Sequence, residues 1–497
     1  MSPEVIAAVI AAGVSILTLI GTVIAQVIGF RSTKANTEQQ IKATHKDTAD
    51  TLRQQREQLD RTLRAQSDQL KQTLAEQRTR TLNERFTTAA EQLGSDKPAV
   101  RLAGVHAMAG LADDWEENRQ TCVDVLCAYL RMPYEPDPGQ DAPEPQRLAF
   151  QAIRGVRHTV IRVITAHLYK DVYKDVAVSW QGLDFDFTGV VFDGGDFRAA
   201  EFSGGTAVFD GARFCGEVRF FGVRFSGSEV SFDDAEFSTG EVRFDRAEFS
   251  RGDVSFRRAK FTGGTVSFGG VRFSGGDVSF DLAEFSGGEV SFDLAEFSGG
   301  TVVFGHAEFS GGEVRFGSTV FSGGTAVFAA AFTGSKVHFP EAQFCGGEVS
   351  FNHAWFSAGE VSFDYAKVSG GEVRFRSAQF SGSEISFFHT VFSGGEVDFD
   401  GAMFRGGQIE FQDAEFHRGQ ISFGDASFGG AAVLFDRAGF SGCEVDFCRA
   451  QFSGGIADFS EAVDWSFPPA FPWADTPPAG VKLPPDSSQA LEEPGTH

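Results

Sequence analysis

Three histidines in the second half of the chain share one position of a repeated motif, and they are the first candidates for metal chemistry: His306, His353 and His389. A metal ion needs ligand nitrogens at about 2.0 to 2.1 Å. The repeat spacing puts His306 and His353 on one edge, two turns and about 10 Å apart, and His389 on another edge. We therefore predict that these histidines are variable corner residues and bind no metal.

The six cysteines do not indicate a metal site either. Cys122/Cys127 and Cys443/Cys448 have CxxxxC spacing, which is not a zinc-knuckle pattern, and a reducing compartment favours free thiols. The chain carries no phosphate-binding P-loop, no nucleophile elbow and no HExxH helix. The sequence thus predicts a protein that is not an enzyme and needs no cofactor.

The histidines belong to a repeat in which phenylalanine recurs at alternating steps of seven and five residues, from about Phe202 to Phe459. The period near twelve, rich in Gly, Ser and Asp, predicts a β-type solenoid. Val278 and Phe280 are two residues apart, so both face one side of an extended segment. The predicted aromatic core is clearest in the FSGGEVSFDLAE stretch, at Phe280, Phe285, Phe292, Phe297, Phe304 and Phe309.

Cut at five-residue intervals, the repeat contains modules such as Ala283-Glu284-Phe285-Ser286-Gly287. This pattern resembles the pentapeptide-repeat family over residues 183–460. The resemblance implies a right-handed four-sided parallel β-helix with one module per side. Here a Gly-Glu pair is inserted after alternate modules, which predicts about 24 residues per turn rather than twenty, and a uniform rod without a polar pocket.

The repeat region is acidic, with 40 Asp and Glu against 20 Lys and Arg between residues 183 and 460. Acids recur after the inward Phe, as at Asp281, Asp293 and Asp364, and after the paired glycines, as at Glu289. Equivalent positions on adjacent turns lie about 4.8 Å apart, so we expect the stacked carboxylates to repel one another and to add no stability.

Dense negative charge on a rod also suggests an alternative function. A subgroup of the resembled family imitates duplex DNA, which carries one charge per about 1.7 Å of axis, and binds a type II topoisomerase such as gyrase. The uncharged turns around Thr319 to Phe332 weaken the imitation. So does a basic interruption at Arg243, Arg246, Arg251, Arg257, Arg258 and Lys260.

The amino-terminal segment from Val5 to Phe30 has no formal charge and exceeds the roughly 20 residues that cross a bilayer as a helix. A secretory signal would begin with basic residues, and a buried core helix is the other alternative. Basic residues that follow, beginning with Arg31 and Lys34, predict that everything downstream is cytoplasmic. The predicted transmembrane residues include Val5, Ile10, Leu17, Ile24 and Phe30.

Three eleven-residue units from Thr51 to Asn83 align their leucines. An eleven-residue repeat gives 3.67 residues per helical turn and favours a coiled coil, so we expect residues 31–83 to form an oligomeric stalk. A solitary charged helix is the alternative, because glutamine and arginine fill many of the core positions.

The remaining segments complete the predicted domain order. Residues 1–30 form the transmembrane anchor, 31–83 the stalk, 84–174 an α-helical module with a Pro-rich linker at 133–146, and 183–460 the β-helix. Residues 461–497 form a Pro-rich tail, partly capping and mostly disordered. This order is similar to that of membrane-anchored actinobacterial pentapeptide-repeat proteins.

Taken together, the sequence predicts a single-pass protein of the cell membrane that presents an acidic cytoplasmic rod. The expected function is a non-enzymatic scaffold for protein–protein interaction, with a homo-oligomeric stalk, an unidentified protein partner and no direct nucleic-acid binding. DNA mimicry toward a topoisomerase is the alternative.

Overall fold

The computed structural model describes residues 2–135, 137–169, 178–227, 229–473 and 476–485. The chain divides into two compact units, residues 1–84 and 85–497, and each is described by itself. The last residues of the predicted helical module, 170–174, and the end of the predicted tail, 486–497, lie outside the described residues.

One helix, α1, begins at Pro3 and ends at Leu93, so its first part accounts for residues 3–84 of the first unit. It includes both the apolar segment and the eleven-residue repeats, with no break between them. It is long and apolar enough near its amino terminus to cross a membrane. The side chains of Val5, Ile10, Leu17, Ile24 and Phe30 are all exposed.

The second unit opens with the end of α1 and three further helices: α2 (Pro98–Asp114), α3 (Arg119–Arg131) and α4 (Glu144–Leu168). A short 3-10 turn, Glu116–Asn118, joins α2 to α3. Gly104 lets α2 approach the end of α1, because a Cβ at this glycine would lie 2.7 Å from the backbone nitrogen of Leu93.

The rest of the second unit is a parallel β-solenoid of about 12 turns, which confirms the predicted fold class. Its strands form two sheets, which we call sheet one and sheet two. Sheet one contains, among the described residues, Phe185–Asp186, Glu201–Phe202, Thr206–Val208, Arg224–Ser226, Glu229–Ser231, Glu248–Arg251, Val254–Ser255, Arg272–Phe273, Asp277–Ser279, Glu296–Phe297, Thr301–Val303, Val320–Phe321, Thr325–Val327, Gln343–Phe344, Glu348–Ser350, Lys367–Arg374, Val391–Asp398, Glu415–Ser422, Gly439–Phe440 and Glu444–Asp446.

Sheet two contains Val191–Asp196, Arg213–Arg219, Glu236–Phe237, Glu241–Arg243, Lys260–Phe261, Thr265–Ser267, Glu284–Phe285, Glu289–Ser291, Glu308–Phe309, Glu313–Arg315, Ala331–Phe332, Lys336–His338, Trp355–Phe356, Glu360–Ser362, Gln379–Ser386, Met403–Glu410, Ser427–Phe428, Ala432–Leu434, Gln451–Phe452, Ile456–Asp458 and Val481–Lys482. A regular turn gives two strands to each sheet, so it has four strands in all.

The register shows the length of a turn. Phe261 pairs with Phe285, and Phe285 with Phe309, so a regular turn contains 24 residues, as the inserted pair predicts. The first turn is shorter, since Phe185 pairs with Ala207. These early repeats lack the insertion.

Two kinds of bend carry the chain round the core. Within a sheet, the paired glycines bend the chain, and the second glycine has a positive φ, as at Gly288 (72°). Between sheets, a two-residue corner puts its second residue in the same region, as at Leu282 (59°) and His306 (54°). The corner accepts a side chain because it points into solvent, so corner residues vary freely along the rod.

The core is a stack of phenylalanine rings. Phe280 is fully buried, and its ring centroid lies 4.8 Å from that of Phe256 and 4.7 Å from that of Phe304, one turn away on either side. Rings of the other columns meet it edge to face, as Phe268 does at 5.9 Å and 88°. The six phenylalanines from Phe280 to Phe309 are each at most 3% exposed. Offset stacks and edge-to-face pairs are the geometries that aromatic rings prefer.

Both ends of the solenoid are covered. At the first turn, Arg157 of α4 donates to the carbonyl of Val191 at 2.9 Å, and Trp180 is buried against His167. At the last turn, the Trp465 ring lies edge-on to Phe440, with centroids 5.3 Å apart. Beyond it, Val481–Lys482 pairs with the strand at Ala457, which gives that strand a hydrogen-bonding neighbour.

Candidate interaction surface

The outward side chains of the first turns form ladders of alternating charge. In sheet one, Arg224 lies 3.6 Å from Glu248 on the next turn, and Arg272 lies 3.6 Å from Glu296. The two pairs stand in one column, which the register of the strands defines. Opposite charges facing each other across adjacent strands stabilise a sheet.

Sheet two has a second ladder of this kind. Arg213 lies 3.5 Å from Glu236, and Lys260 lies 4.0 Å from Glu284, in the same column. Within the basic interruption of the sequence, Arg257, Arg258 and Lys260 likewise pair with acids on neighbouring turns. All these side chains are about half exposed, so each pair contributes little energy and the ladder as a whole favours one register.

The corner aspartates contradict the expectation that stacked carboxylates add no stability. Asp364 accepts a hydrogen bond from the Ser386 hydroxyl at 2.5 Å and another from the backbone N–H of Phe388 at 3.3 Å, one turn further on. Asp293 accepts from the N–H of Gly317 at 2.6 Å. The expectation was wrong for these positions because each carboxylate meets donors of the next turn instead of another carboxylate.

An uncharged patch interrupts this surface. In sheet one, within the fully described stretch between Glu296 and Glu348, none of the outward side chains is charged. We call these five half-buried side chains the neutral patch: Thr301, Val303, Val320, Thr325 and Val327. They alternate with buried core residues, so all point away from the core. β-Branched side chains on a sheet surface offer apolar area for contact.

An exposed tryptophan lies beyond the edge of the neutral patch. The chain leaves Val327, turns the corner at Ala329 and reaches Ala331 in sheet two, which pairs with Trp355 of the next turn. The Trp355 side chain is 48% exposed. Tryptophan is enriched in the energetic centres of protein interfaces.

A second aromatic group lies on the edge of the solenoid that carries Tyr365. The Tyr365 ring stacks on the imidazole of His389 at 5.2 Å and meets Phe388 edge to face at 5.5 Å. Tyr365 is 56% exposed. It marks a second point where the outward surface is aromatic rather than charged.

The histidines lie at the corner positions that the repeat spacing predicts. The register steps from His306 to Ala329 and then to His353, so two turns separate these histidines, and His389 occupies the other edge. His306 instead contacts Asp281 at 3.3 Å. Within the described part of the chain, no group of three or more His, Cys, Asp or Glu side chains could hold a metal ion.

All six cysteines are free thiols. Burial raises the pKa of Cys127 and of Cys443 to about 12, so neither is a nucleophile at neutral pH. Cys345 is exposed on sheet one and is open to labelling reagents.

A polar cleft at the first turn contradicts the expectation of a rod without one. It has a volume of about 740 Å³ and lies between α4 and the strands Val191–Asp196 and Arg213–Arg219. Regular repeats leave no such space, but here the amphipathic helix α4 stands against strands that contain Gly194 and Gly195. The uniform repeat pattern gave no indication of it.

Asp193, which lines the cleft, accepts hydrogen bonds from α4 and from the segment that follows α3. Its carboxylate accepts from the Tyr134 hydroxyl at 2.6 Å, from Arg154 at 3.0 Å and from His158 at 2.9 Å. Burial alone would raise the pKa of the Asp193 carboxyl, and the hydrogen bonds from His158 and Tyr134 more than offset burial, so the pKa lies below its ordinary value. Arg157 adds a cation–π contact, 4.2 Å above the Tyr134 ring.

We expect Asp193→Asn to destabilise the second unit by about 1 to 3 kcal/mol at pH 7, because charge-assisted hydrogen bonds are lost in a nearly buried site. The depressed pKa makes the wild-type contribution complete above the unfolded value of about 3.9 and lost as the pH falls through the folded value. The difference between the two proteins should therefore shrink at pH 2 to 3. Urea denaturation at both pH values measures it.

The control for this experiment is Glu229→Gln, which removes an exposed carboxylate from the surface of the solenoid. We expect it to change stability by less than about 0.5 kcal/mol. A difference between Asp193→Asn and wild type that stays constant down to pH 2 contradicts the role given to the ionised carboxylate.

Comparison of the chain with protein-family models, with curated proteins and with solved structures finds no match. The solenoid of stacked turns with regular Phe spacing is consistent with a pentapeptide-repeat fold. No match supports the predicted similarity to membrane-anchored actinobacterial members of that family.

Proposed function

We propose that this chain is a membrane-tethered, non-enzymatic scaffold whose solenoid binds a protein partner through the neutral patch. The observation that carries the proposal is the neutral patch itself, an apolar β surface with Trp355 nearby on a chain of net charge −25. Such a patch is the part of the rod from which a partner displaces water at the lowest electrostatic cost. A solenoid is typical of structural and interaction roles rather than of catalysis.

The tether that we propose is the first part of α1. Its hydroxyl side chains donate hydrogen bonds to backbone carbonyls of the same helix. Ser15 donates to the Ala11 carbonyl at 2.8 Å, and Thr18 donates to the Val14 carbonyl at 2.7 Å. Hydroxyls bonded in this way are tolerated in hydrocarbon, where a free donor is costly. The basic residues that follow, Arg31 and Lys34, support an orientation in which the helix spans the cell membrane and the solenoid faces the cytoplasm.

We further propose that the stalk self-associates. Leu52, Leu63 and Leu74 are each more than half exposed on a continuous helix. An isolated polar helix gains little stability from its own sequence, and pairing of leucine stripes from two or more chains would bury this apolar area. A homo-oligomer would also present several rods at one place on the membrane.

The five-residue modules support membership of the pentapeptide-repeat family, and the charge pattern bears on its DNA-mimicking subgroup. In the first turns, acids alternate with bases in the same column, as at Arg224, Glu248 and Arg272. Duplex DNA presents negative charge without such alternation. Later turns do stack acid on acid, as at Glu348, Glu372 and Glu396, so the ladders argue against DNA mimicry at the first turns.

A photo-crosslinking experiment in cells tests the proposal. A benzophenone amino acid replaces Val327 in the full-length chain, and the matched control carries it at Ser291, an outward position of sheet two away from the neutral patch. We expect one discrete protein adduct at position 327, found in the membrane fraction, and none at 291. Deletion of residues 3–30 should release the chain and abolish the adduct.

Identical adducts at both positions would contradict the neutral patch as the binding surface. Retention of the deleted chain in membranes would contradict the tether. The exposed Cys345 reports orientation in the same cells, because a membrane-impermeant maleimide should label it only after lysis.

A further inference from the structure

The cleft at the first turn is independent of the neutral patch and has a chemistry of its own. Four of the side chains that line it are arginines, contributed by α4 and by two neighbouring turns: Arg154, Arg162, Arg198 and Arg219. His158 lines it as well. Arginine is the side chain best suited to planar, multidentate recognition of phosphate and carboxylate groups.

The three carboxylates among the described lining residues are already paired. Asp193 accepts from Arg154 and His158, as described above, and Asp196 forms a two-pronged pair with Arg198, with distances of 2.8 and 2.7 Å. Glu217 accepts from the Nε of Arg219 at 2.8 Å. Each of these arginines keeps N–H donors that its acid does not use, because a guanidinium has five.

Arg162 is the one arginine of the four that has no carboxylate partner among the described residues. It is exposed on α4 and makes no ion pair with any described residue. Among the described lining residues, the four guanidinium groups thus outnumber the three carboxylates, which gives this set a net charge of +1. This lies in a chain whose net charge is −25, which makes the cleft a local reversal of sign.

The wall of the cleft between the arginines is bare backbone. Gly194 has a φ of 151°, which side chains rarely adopt, and a Cβ there would lie 3.0 Å from the His158 ring. A Cβ at Gly195 would contact Ile161 at 3.5 Å. Glycine at both positions keeps this wall free of side chains and leaves the space beside the guanidinium groups open.

We propose that the cleft binds a phosphoryl anion of at least two negative charges, such as a pyrophosphate group. Its volume of about 740 Å³ falls in the range of small-molecule sites. The ligand contacts Arg162 directly and the unused N–H donors of Arg154, Arg198 and Arg219. A soluble pyrophosphate compound and a phosphorylated lipid headgroup share this chemistry.

Isothermal titration of the full-length chain in detergent with inorganic pyrophosphate tests the site. We expect saturable binding that weakens as salt is added. Arg162→Gln should lower the affinity about tenfold or more, because it removes a charge-assisted contact. Glu217→Gln should raise the affinity, because it removes a competing negative charge, and Arg251→Gln, outside the cleft, should leave it unchanged.

Thermal unfolding of each variant shows whether its solenoid is intact, so a folding defect is separated from a binding defect. Absence of heat at millimolar pyrophosphate overturns the proposal, and so does binding that Arg162→Gln and Glu217→Gln leave unchanged. Loss of the photo-adduct at Val327 has no bearing on this titration, so the two proposals fail separately.

A second arm identifies the source of the phosphoryl group. The chain is placed in phosphatidylcholine nanodiscs with and without a phosphatidylinositol phosphate, and the titration with pyrophosphate is repeated. Equal affinity in both discs supports a soluble ligand. A tenfold weaker affinity in the discs that contain the phosphorylated lipid, abolished by Arg162→Gln, supports the headgroup.

Discussion

Replacing Phe280 with alanine should lower the free energy of unfolding of the second unit by about 3 to 5 kcal/mol. The Phe280 ring is fully buried, with Phe256 and Phe304 stacked on its two faces at 4.8 and 4.7 Å. A stacked column has no neighbour that can move sideways into the cavity, because adjacent turns are held by strand pairing. Urea denaturation followed by tryptophan fluorescence measures the effect, since all five tryptophans lie in the second unit.

The matched control is Leu294→Ala, which removes a side chain that is 69% exposed at a corner of the next half-turn. We expect a change below about 0.5 kcal/mol. Equal losses for the two variants would mean that the phenylalanine column does not hold the solenoid together.

The second large effect is expected from Gly288→Ala. Gly288 has a φ of 72°, and a Cβ there would lie 2.5 Å from the carbonyl oxygen of Gly264 on the preceding turn. The methyl group therefore meets backbone that is fixed by the strand register, so the two turns must separate locally. A left-handed conformation and overpacking together cost about 2 to 5 kcal/mol.

Gly222→Ala separates the two contributions to that cost. Gly222 has a similar φ of 64°, but a Cβ there has no atom within 4 Å. We expect a loss of only about 1 to 2 kcal/mol, the cost of the left-handed conformation alone. If the two alanine variants are equally destabilised in urea denaturation, close approach of the turns is not the reason for glycine at position 288.

The sequence predicted the solenoid, its 24-residue turn and its inward phenylalanines, because the spacing of Phe280 and Phe285 is a local pattern that repeats. The same pattern did not reveal what crosses between turns. The bond from Ser386 to Asp364 joins residues 22 positions apart, so the aspartate looked like one member of a repelling stack. A column drawn at 24-residue steps would have shown the alternation of Arg224, Glu248 and Arg272 from the sequence alone.

The cleft escaped prediction for a different reason. Asp193, Gly194 and Gly195 fit the pentapeptide pattern as well as the residues of any other module, and Arg154 and Arg162 belong to the predicted helical module. Their meeting depends on how α4 packs on the first turn, which is a tertiary contact without a local pattern. The neutral patch was visible in the sequence as uncharged repeats, but the sequence did not show that its members lie side by side in one sheet.

The alternating ladders bear on how a chain of near-identical repeats avoids assembling out of order. If a turn were skipped, Arg224 would meet Arg272 and Glu248 would meet Glu296, so each mismatched contact would be repulsive. The phenylalanine column cannot make this distinction, because one ring stacks on another equally well. Fidelity of winding in the first coils is therefore encoded on the outside of the protein, in side chains that contribute almost nothing to the strength of the finished coil.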